Sequence, residues 1–198
     1  IMQDKEFFEN YIKAFLAENA KVNLISKNDE KYLWEKHIFD SLAIEKFFEK
    51  YNFEAKELLD FGTGGGFPSV PIALAYPNIS VTAVDSIRKK INAIVSIKNT
   101  LDIKNLTPIC ERIENIDKKF DVVTSRAVAN LGKIVEYAIP HLKNDGYFVT
   151  YKSVKVQEEI NEAKPFLKKY NAKIVDIIQY NLPLTENHTR NLVVIKRI

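Results

Sequence analysis

Three consecutive glycines, Gly64-Gly65-Gly66, follow closely on the apolar segment ELLDF at 57–61, and this restricts the fold more than any other feature. A glycine inside a regular element costs roughly 0.5–1 kcal/mol relative to alanine. Such a run therefore belongs to a loop with unusual dihedrals, or to backbone that must lie flat against a ligand. ELLDF reads as a strand and 68–76 as a helix, with Pro68 suited to the first turn.

The rest of the chain extends that unit. ISVTAVD (79–85), LTPICE (106–111), FDVVTS (120–125) and GYFVTYK (146–152) read as further strands. Helical stripes separate them: Ile87, Ile91, Ile94, Val95 and Leu101; then 131–141; then Val156, Ile160, Ala163 and Leu167. Strands at 172–180 and 191–198 close the chain with no helix between them, so they should pair antiparallel at one sheet edge. Alternation of this kind predicts an α/β fold: a seven-stranded, mostly parallel sheet with helices on both faces. Residues 1–50 read as a helical extension and 51–198 as the α/β domain. In the extension, Phe7, Phe8, Tyr11, Ile12, Phe15 and Leu16 share a stripe. A second helix, capped by Asn28 or Asp29, carries Leu33, Trp34, His37, Ile38, Ser41 and Leu42 on one side.

In such sheets ligands sit beyond the carboxyl ends of the strands, where the strand order reverses. From Gly62 the loop reads G-T-G-G-G-F. A dinucleotide fingerprint requires a third glycine where this chain has Phe67, and no Gly-Lys-Ser/Thr follows, which excludes a P-loop. Asp85 ends the second strand, where a carboxylate can accept from both hydroxyls of a ribose. That placement suits either NAD or S-adenosylmethionine; the bland alternative is a tight turn followed by a helix cap. Ile113 and Glu114, after the third strand, either meet an adenine edge or form a solvated turn; the pattern fits both equally.

Composition narrows the class. No apolar run approaches the ~20 residues needed to span a bilayer, and the first twenty residues alternate charge and bulk instead of forming a leader. One cysteine rules out an internal disulfide and fits a cytoplasmic location. With three histidines, a structural zinc site is not expected, and no metal is assigned. A net charge of +3 permits an anionic partner without requiring one.

VNLIS (22–26), KHIFDSL (36–42), LLDFGTGGGFPSVPIA (58–73), VDSIRKK (84–90), SRAVANL (125–131) and TRNLVVIKR (189–197) together resemble the small-subunit (16S) ribosomal RNA guanine-N7 methyltransferase G family, also called glucose-inhibited division protein B. The resemblance covers nearly the whole chain. It implies a Rossmann-like class I S-adenosylmethionine-dependent methyltransferase fold with an antiparallel last strand. It also implies methyl transfer to N7 of one guanine in 16S rRNA, with 16S rRNA or the small ribosomal subunit as partner; the oligomeric state does not follow from the sequence, a monomer being the expectation. By position in the family, Gly62, Phe67, Ile113, Glu114 and Arg126 would touch the cofactor; the glycine loop and the strand-end acid add Gly64, Gly66 and Asp85 to the expected cofactor residues.

Guanine N7 carries a free lone pair and needs no deprotonation. Transfer to it depends on alignment, for which orientation supplies up to about 7–11 kcal/mol. No catalytic base is assigned. Arg88, Lys89 and Lys90 open a helix, where cations oppose the dipole; RNA phosphates would explain them. Lys152, Arg126 and His37 complete the expected RNA contacts. His37, Asp40 and Ser41 share a helix face but do not form a nucleophile triad. Arg190, Lys196 and Arg197 fit charge protection of an edge strand equally well. The rivals are another S-adenosylmethionine-dependent methyltransferase acting on a different RNA or a small molecule, a nicotinamide oxidoreductase, and a non-catalytic ribosome-assembly factor.

Overall fold

The computed structural model describes residues 3–198, so the first two residues of the expected extension lie outside it. Seven strands form one sheet in the order β3-β2-β1-β4-β5-β7-β6. They are β1 (Glu57–Phe61), β2 (Ser80–Asp85), β3 (Leu106–Cys110), β4 (Phe120–Arg126), β5 (Leu142–Ser153), β6 (Ala172–Asn181) and β7 (Thr189–Arg197). β1 pairs in parallel with both β2 and β4, so the order reverses at β1, and the glycine loop leaves from that point.

Side chains alternate across the sheet. Leu58, Val122, Val149 and Val194 face one apolar core, while Leu59, Val123, Phe148 and Val193 face the other. The first core is covered by α1 (Glu9–Asn19), α2 (Phe39–Leu42), α3 (Ile44–Lys50), α4 (Ser69–Ala75) and α5 (Arg88–Leu101). The second is covered by α6 (Leu131–Ala138) and α7 (Val156–Lys169). A parallel sheet needs both faces covered because its strands are apolar on both sides.

The last two strands pair antiparallel at one edge, as expected; two other expectations are corrected. β7 lies between β5 and β6 and is antiparallel to both, so β6 alone is the edge strand on that side. The cations of β7 therefore do not guard an edge; Arg190 reaches Asp40 (3.5 Å), and Arg197 donates to the carbonyl of Ile139 (3.0 Å). The second N-terminal helix is also not continuous. A 3₁₀ segment (Lys27–Tyr32) passes into a π-helical turn (Leu33–Ile38) before α2. Its cap is Ser26, whose hydroxyl accepts from the Asp29 N–H at 3.2 Å, in place of Asn28 or Asp29. Overwinding and then underwinding keep Leu33 and Ile38 in the core while turning Asp29 and His37 toward the glycine loop.

Candidate functional site

Asp60, the penultimate residue of β1, is fully buried beneath the loop. Its carboxylate accepts from the Thr63 hydroxyl (2.7 Å), the Thr124 hydroxyl (2.9 Å) and the Ser69 N–H (3.2 Å), tying the loop to β4 and to the start of α4. Burial pushes this carboxyl up to about 7, against the pull of those donors. Above it, Asp85 accepts from the Gly64 N–H at Oδ2 (2.8 Å) and from the Ile87 N–H at Oδ1 (2.9 Å). It thus fixes the glycine loop and also satisfies a donor at the entry to α5. Each oxygen keeps acceptor capacity.

Two chambers open here. The smaller, about 260 Å³, runs from Gly62 and Asp85 to Ile113 and Glu114, with Phe61 and Tyr137 as apolar walls. The larger, about 510 Å³, is bounded by the glycine loop and Asp85 on one side and by Ser26, Asp29 and His37 on the other. Gly62, Asp85 and Val128 line both, so they form one divided cleft. Val128 was not singled out in the sequence. It follows Ala127, which has a left-handed backbone (φ 52°), an uncommon conformation for a residue with a side chain.

The remaining predicted residues are distributed as follows. Gly64 lines the larger chamber with φ 57°. Gly66 (φ 97°) packs inward: a Cβ there would lie 2.7 Å from Val70 Cγ2. Phe67 is 4% exposed and wedged against Phe15 (5.2 Å between centroids) and His37 (5.1 Å). It therefore anchors the N-terminal helices to the loop more than it faces the cleft. Arg126 lies over the Phe67 ring and donates to Lys36 O (3.2 Å), Asp40 Oδ2 (3.1 Å) and His37 Nδ1 (2.8 Å). Arg88 and Lys89 are exposed at the start of α5, and Lys90 lines the larger chamber.

Lys152 is the exception. Its ammonium is buried, donating to Ala129 O (2.7 Å) and Glu159 Oε1 (3.0 Å), so it is removed from the expected RNA contacts. The outward direction of an alternating strand and the presence of α7 above it were not readable together in sequence.

His37 has a defined protonation state. Arg126 can only donate, so Nδ1 accepts, and Nε2–H donates to Asp29 Oδ2 at 3.3 Å. Burial and the guanidinium hold the imidazole down at about 4. At this ring the unfolded chain therefore binds more protons than the native one between pH 6.5 and 4, and its share of stability is lost as pH falls through that window, at about 1.4 kcal/mol per unit. Asp60, held up at about 7, contributes the opposite sign over much of the same window, so the test is a difference: in urea melts at stepped pH, the wild type should lose stability on acidification more steeply than His37→Gln, by about 1.4 kcal/mol per unit. Equal slopes would mean the ring is not held neutral.

In the sequence, Asp40 shows no more than a helix face shared with His37. It is 1% exposed and collects Arg126, Arg190 (3.5 Å) and the Tyr180 hydroxyl, joining α2, β4, β6 and β7 at the head of the sheet.

The family model of GidB, described as rRNA small subunit methyltransferase G, matches residues 4–193. A "Ribosomal RNA small subunit methyltransferase G" of Lachnoclostridium phytofermentans is 36% identical over 199 residues, covering 98% of this chain and 81% of the relative. The Bacillus subtilis protein of the same name is 33% identical, covering 98% and 82%. Among solved structures, an S-adenosylmethionine-dependent methyltransferase from Clostridium acetobutylicum superposes with TM-score 0.64 at 16% identity, covering 86% of this chain and 98% of that one. M. jannaschii TYW2 in complex with AdoMet gives 0.59 at 17% identity, covering 78% and 76%. These two establish the shared class I methyltransferase fold. A family match running almost end to end, on a sheet that reverses at a glycine loop backed by Asp85, places the chain in the GidB family of rRNA small subunit methyltransferase G proteins.

Proposed function

We propose that the protein transfers a methyl group from S-adenosylmethionine to N7 of a guanine in 16S rRNA, in the cytoplasm, with residues up to 50 forming the substrate-facing wall of a methyltransferase domain. The observation that carries this reading is the divided cleft at the strand-order reversal. The residues present fit the cofactor. Asp85 has free acceptor sites for the ribose hydroxyls. The smaller chamber offers apolar Phe61, Ile113 and Tyr137 to a purine. Its lining carries three carboxylates, Asp85, Glu111 and Glu114, against one guanidinium, Arg112, a balance that suits a cationic ligand better than a pyrophosphate. This favours S-adenosylmethionine over a nicotinamide dinucleotide. Gly62, Gly64 and Asp85 would hold the ligand along the loop, with Ile113 and Glu114 at the adenine end; Gly66, turned inward against Val70, would shape the loop from beneath. Arg126 and Phe67 would shape the far wall.

When bound, the cofactor would supply an electrophilic methyl carbon, to which the N7 lone pair would bond as the S–C bond breaks with its electron pair left on sulfur. No side chain has to remove a proton from N7. The work left to this chain is orientation and exclusion of water, for which the Asp60 and Asp85 hydrogen bonds brace the loop.

The test is incubation of the purified protein with labelled S-adenosylmethionine and small ribosomal subunits or 16S rRNA lacking the modification, followed by nucleoside mass analysis. The expected product is 7-methylguanosine. Label at another atom, or none, overturns the reading. Arg88, Lys89 and Lys90 would meet RNA phosphates beside the cleft. Replacing all three by Ala should weaken RNA binding across sequences and lower the salt slope by about 2–3. An unchanged slope would remove this patch from the RNA path.

A further inference from the structure

We propose that Asp29 reads the Watson–Crick edge of the target guanine and stabilises the charge the base acquires as it is methylated. This rests on the proposed function and names a residue for it. Asp29 and Asp85 are the carboxylates lining the larger chamber, Asp85 bonded to the glycine loop and Asp29 belonging to the N-terminal segment that carries His37. Asp85 is engaged by the glycine loop and α5. Asp29 has an open face, with its side chain 32% exposed. Each of its oxygens has one long contact: Oδ1 with Lys36 Nζ at 3.4 Å, and Oδ2 with His37 Nε2 at 3.3 Å. A carboxylate has about four acceptor positions, so one remains on each oxygen. The carboxylate is also held in place, because the Ser26 cap binds the Asp29 N–H and Arg126 holds His37.

Guanine matches this arrangement. O6 and N7 are acceptors on one edge, and that edge must face the glycine loop for N7 to be the nucleophile. The opposite edge then faces the Asp29 wall and offers N1–H and N2–H side by side, spaced for the two oxygens of one carboxylate. Adenine has a lone pair at N1 and no amino group at C2, so it would set an acceptor against the carboxylate. As the N7–C bond forms, the positive charge of the sulfonium passes to the purine, and N1–H becomes more acidic. Its hydrogen bond to Asp29 strengthens as the transition state is approached. An interaction of that kind raises kcat instead of merely tightening binding.

Asp29→Asn tests this. The amide keeps an acceptor for His37 but loses the charge and turns a donor toward the base. The kcat on rRNA should fall by about 10²-fold, the usual loss for a group aimed at developing charge. Affinity for S-adenosylhomocysteine by calorimetry, and the melting temperature, should stay close to wild type. Lys36→Met, which leaves the carboxylate in place, should stay within about threefold of wild-type activity on the same scale. An unchanged kcat in Asp29→Asn overturns the assignment. So does a parallel loss of cofactor affinity, which would place Asp29 on the other ligand, and so does an equal loss in Lys36→Met, which would trace the effect to wall packing. A wild type that makes no 7-methylguanosine instead defeats the proposed function itself.

Discussion

Gly64→Val leaves the sheet folded and removes cofactor binding. The two effects separate because of where this glycine points. A Cβ on Gly64 meets nothing closer than the Gly62 carbonyl oxygen at 4.0 Å, and the residue lines the larger chamber, so a side chain grows into space a ligand would take. The backbone at φ 57° is left-handed. A branched residue there costs about 1–2 kcal/mol, which lowers the melting temperature by about 2–8 °C in a chain of this size. Ligand loss should be far greater, on the order of 10²-fold or more in Kd, equivalent to ~2.7 kcal/mol. Gly66 is the internal comparison. It faces Val70 in the core, so Gly66→Ala should lose stability first. Calorimetry with S-adenosylhomocysteine and thermal unfolding of both variants give the answer. If Gly64→Val binds as wild type does, the loop is not the cofactor's seat.

The largest stability loss is expected from Asp40→Ala. Removing the carboxylate strands the Arg126 guanidinium, whose side chain is 13% exposed, and takes an acceptor from Arg190 and Tyr180. Breaking a buried pair from one side costs about 3–5 kcal/mol, because the remaining charge is uncompensated. For this chain that corresponds to a melting temperature lower by roughly 10 °C. The damage should extend to the cleft, since Arg126 also positions His37 and lies over Phe67. Asp40→Asn, which keeps an acceptor for Tyr180, should lose less. A melting temperature within about 2 °C of wild type in Asp40→Ala, a shift worth under 1 kcal/mol, would show that the N-terminal helices are held by their apolar contacts alone.

Much of the fold was legible because its signals are local. ELLDF, SVTAVD and FDVVTS are runs whose alternate residues enter opposite cores, and each was expected as a strand. The stripe Val156, Ile160, Ala163 and Leu167 is the buried face of α7. The failures came where partners are distant in sequence. The antiparallel pairing of the last two strands was expected and is present, but nothing in NLVVIKR says that β7, and not β6, is the one that pairs with β5. Lys152 read as a rim cation until Glu159 and the carbonyl of Ala129 were seen to surround it.

The sequence by itself determined the strand-loop-helix unit, the acid that closes the next strand and the family. These depend on hydrophobic period and on the dihedral freedom of glycine, both written in neighbouring residues. Only the tertiary structure decided that Asp29, His37, Arg126 and Asp40 form a continuous polar chain along the far wall of the cleft. Hydrogen bonds and burial depend on atoms brought together from separate elements, and no local pattern encodes that meeting.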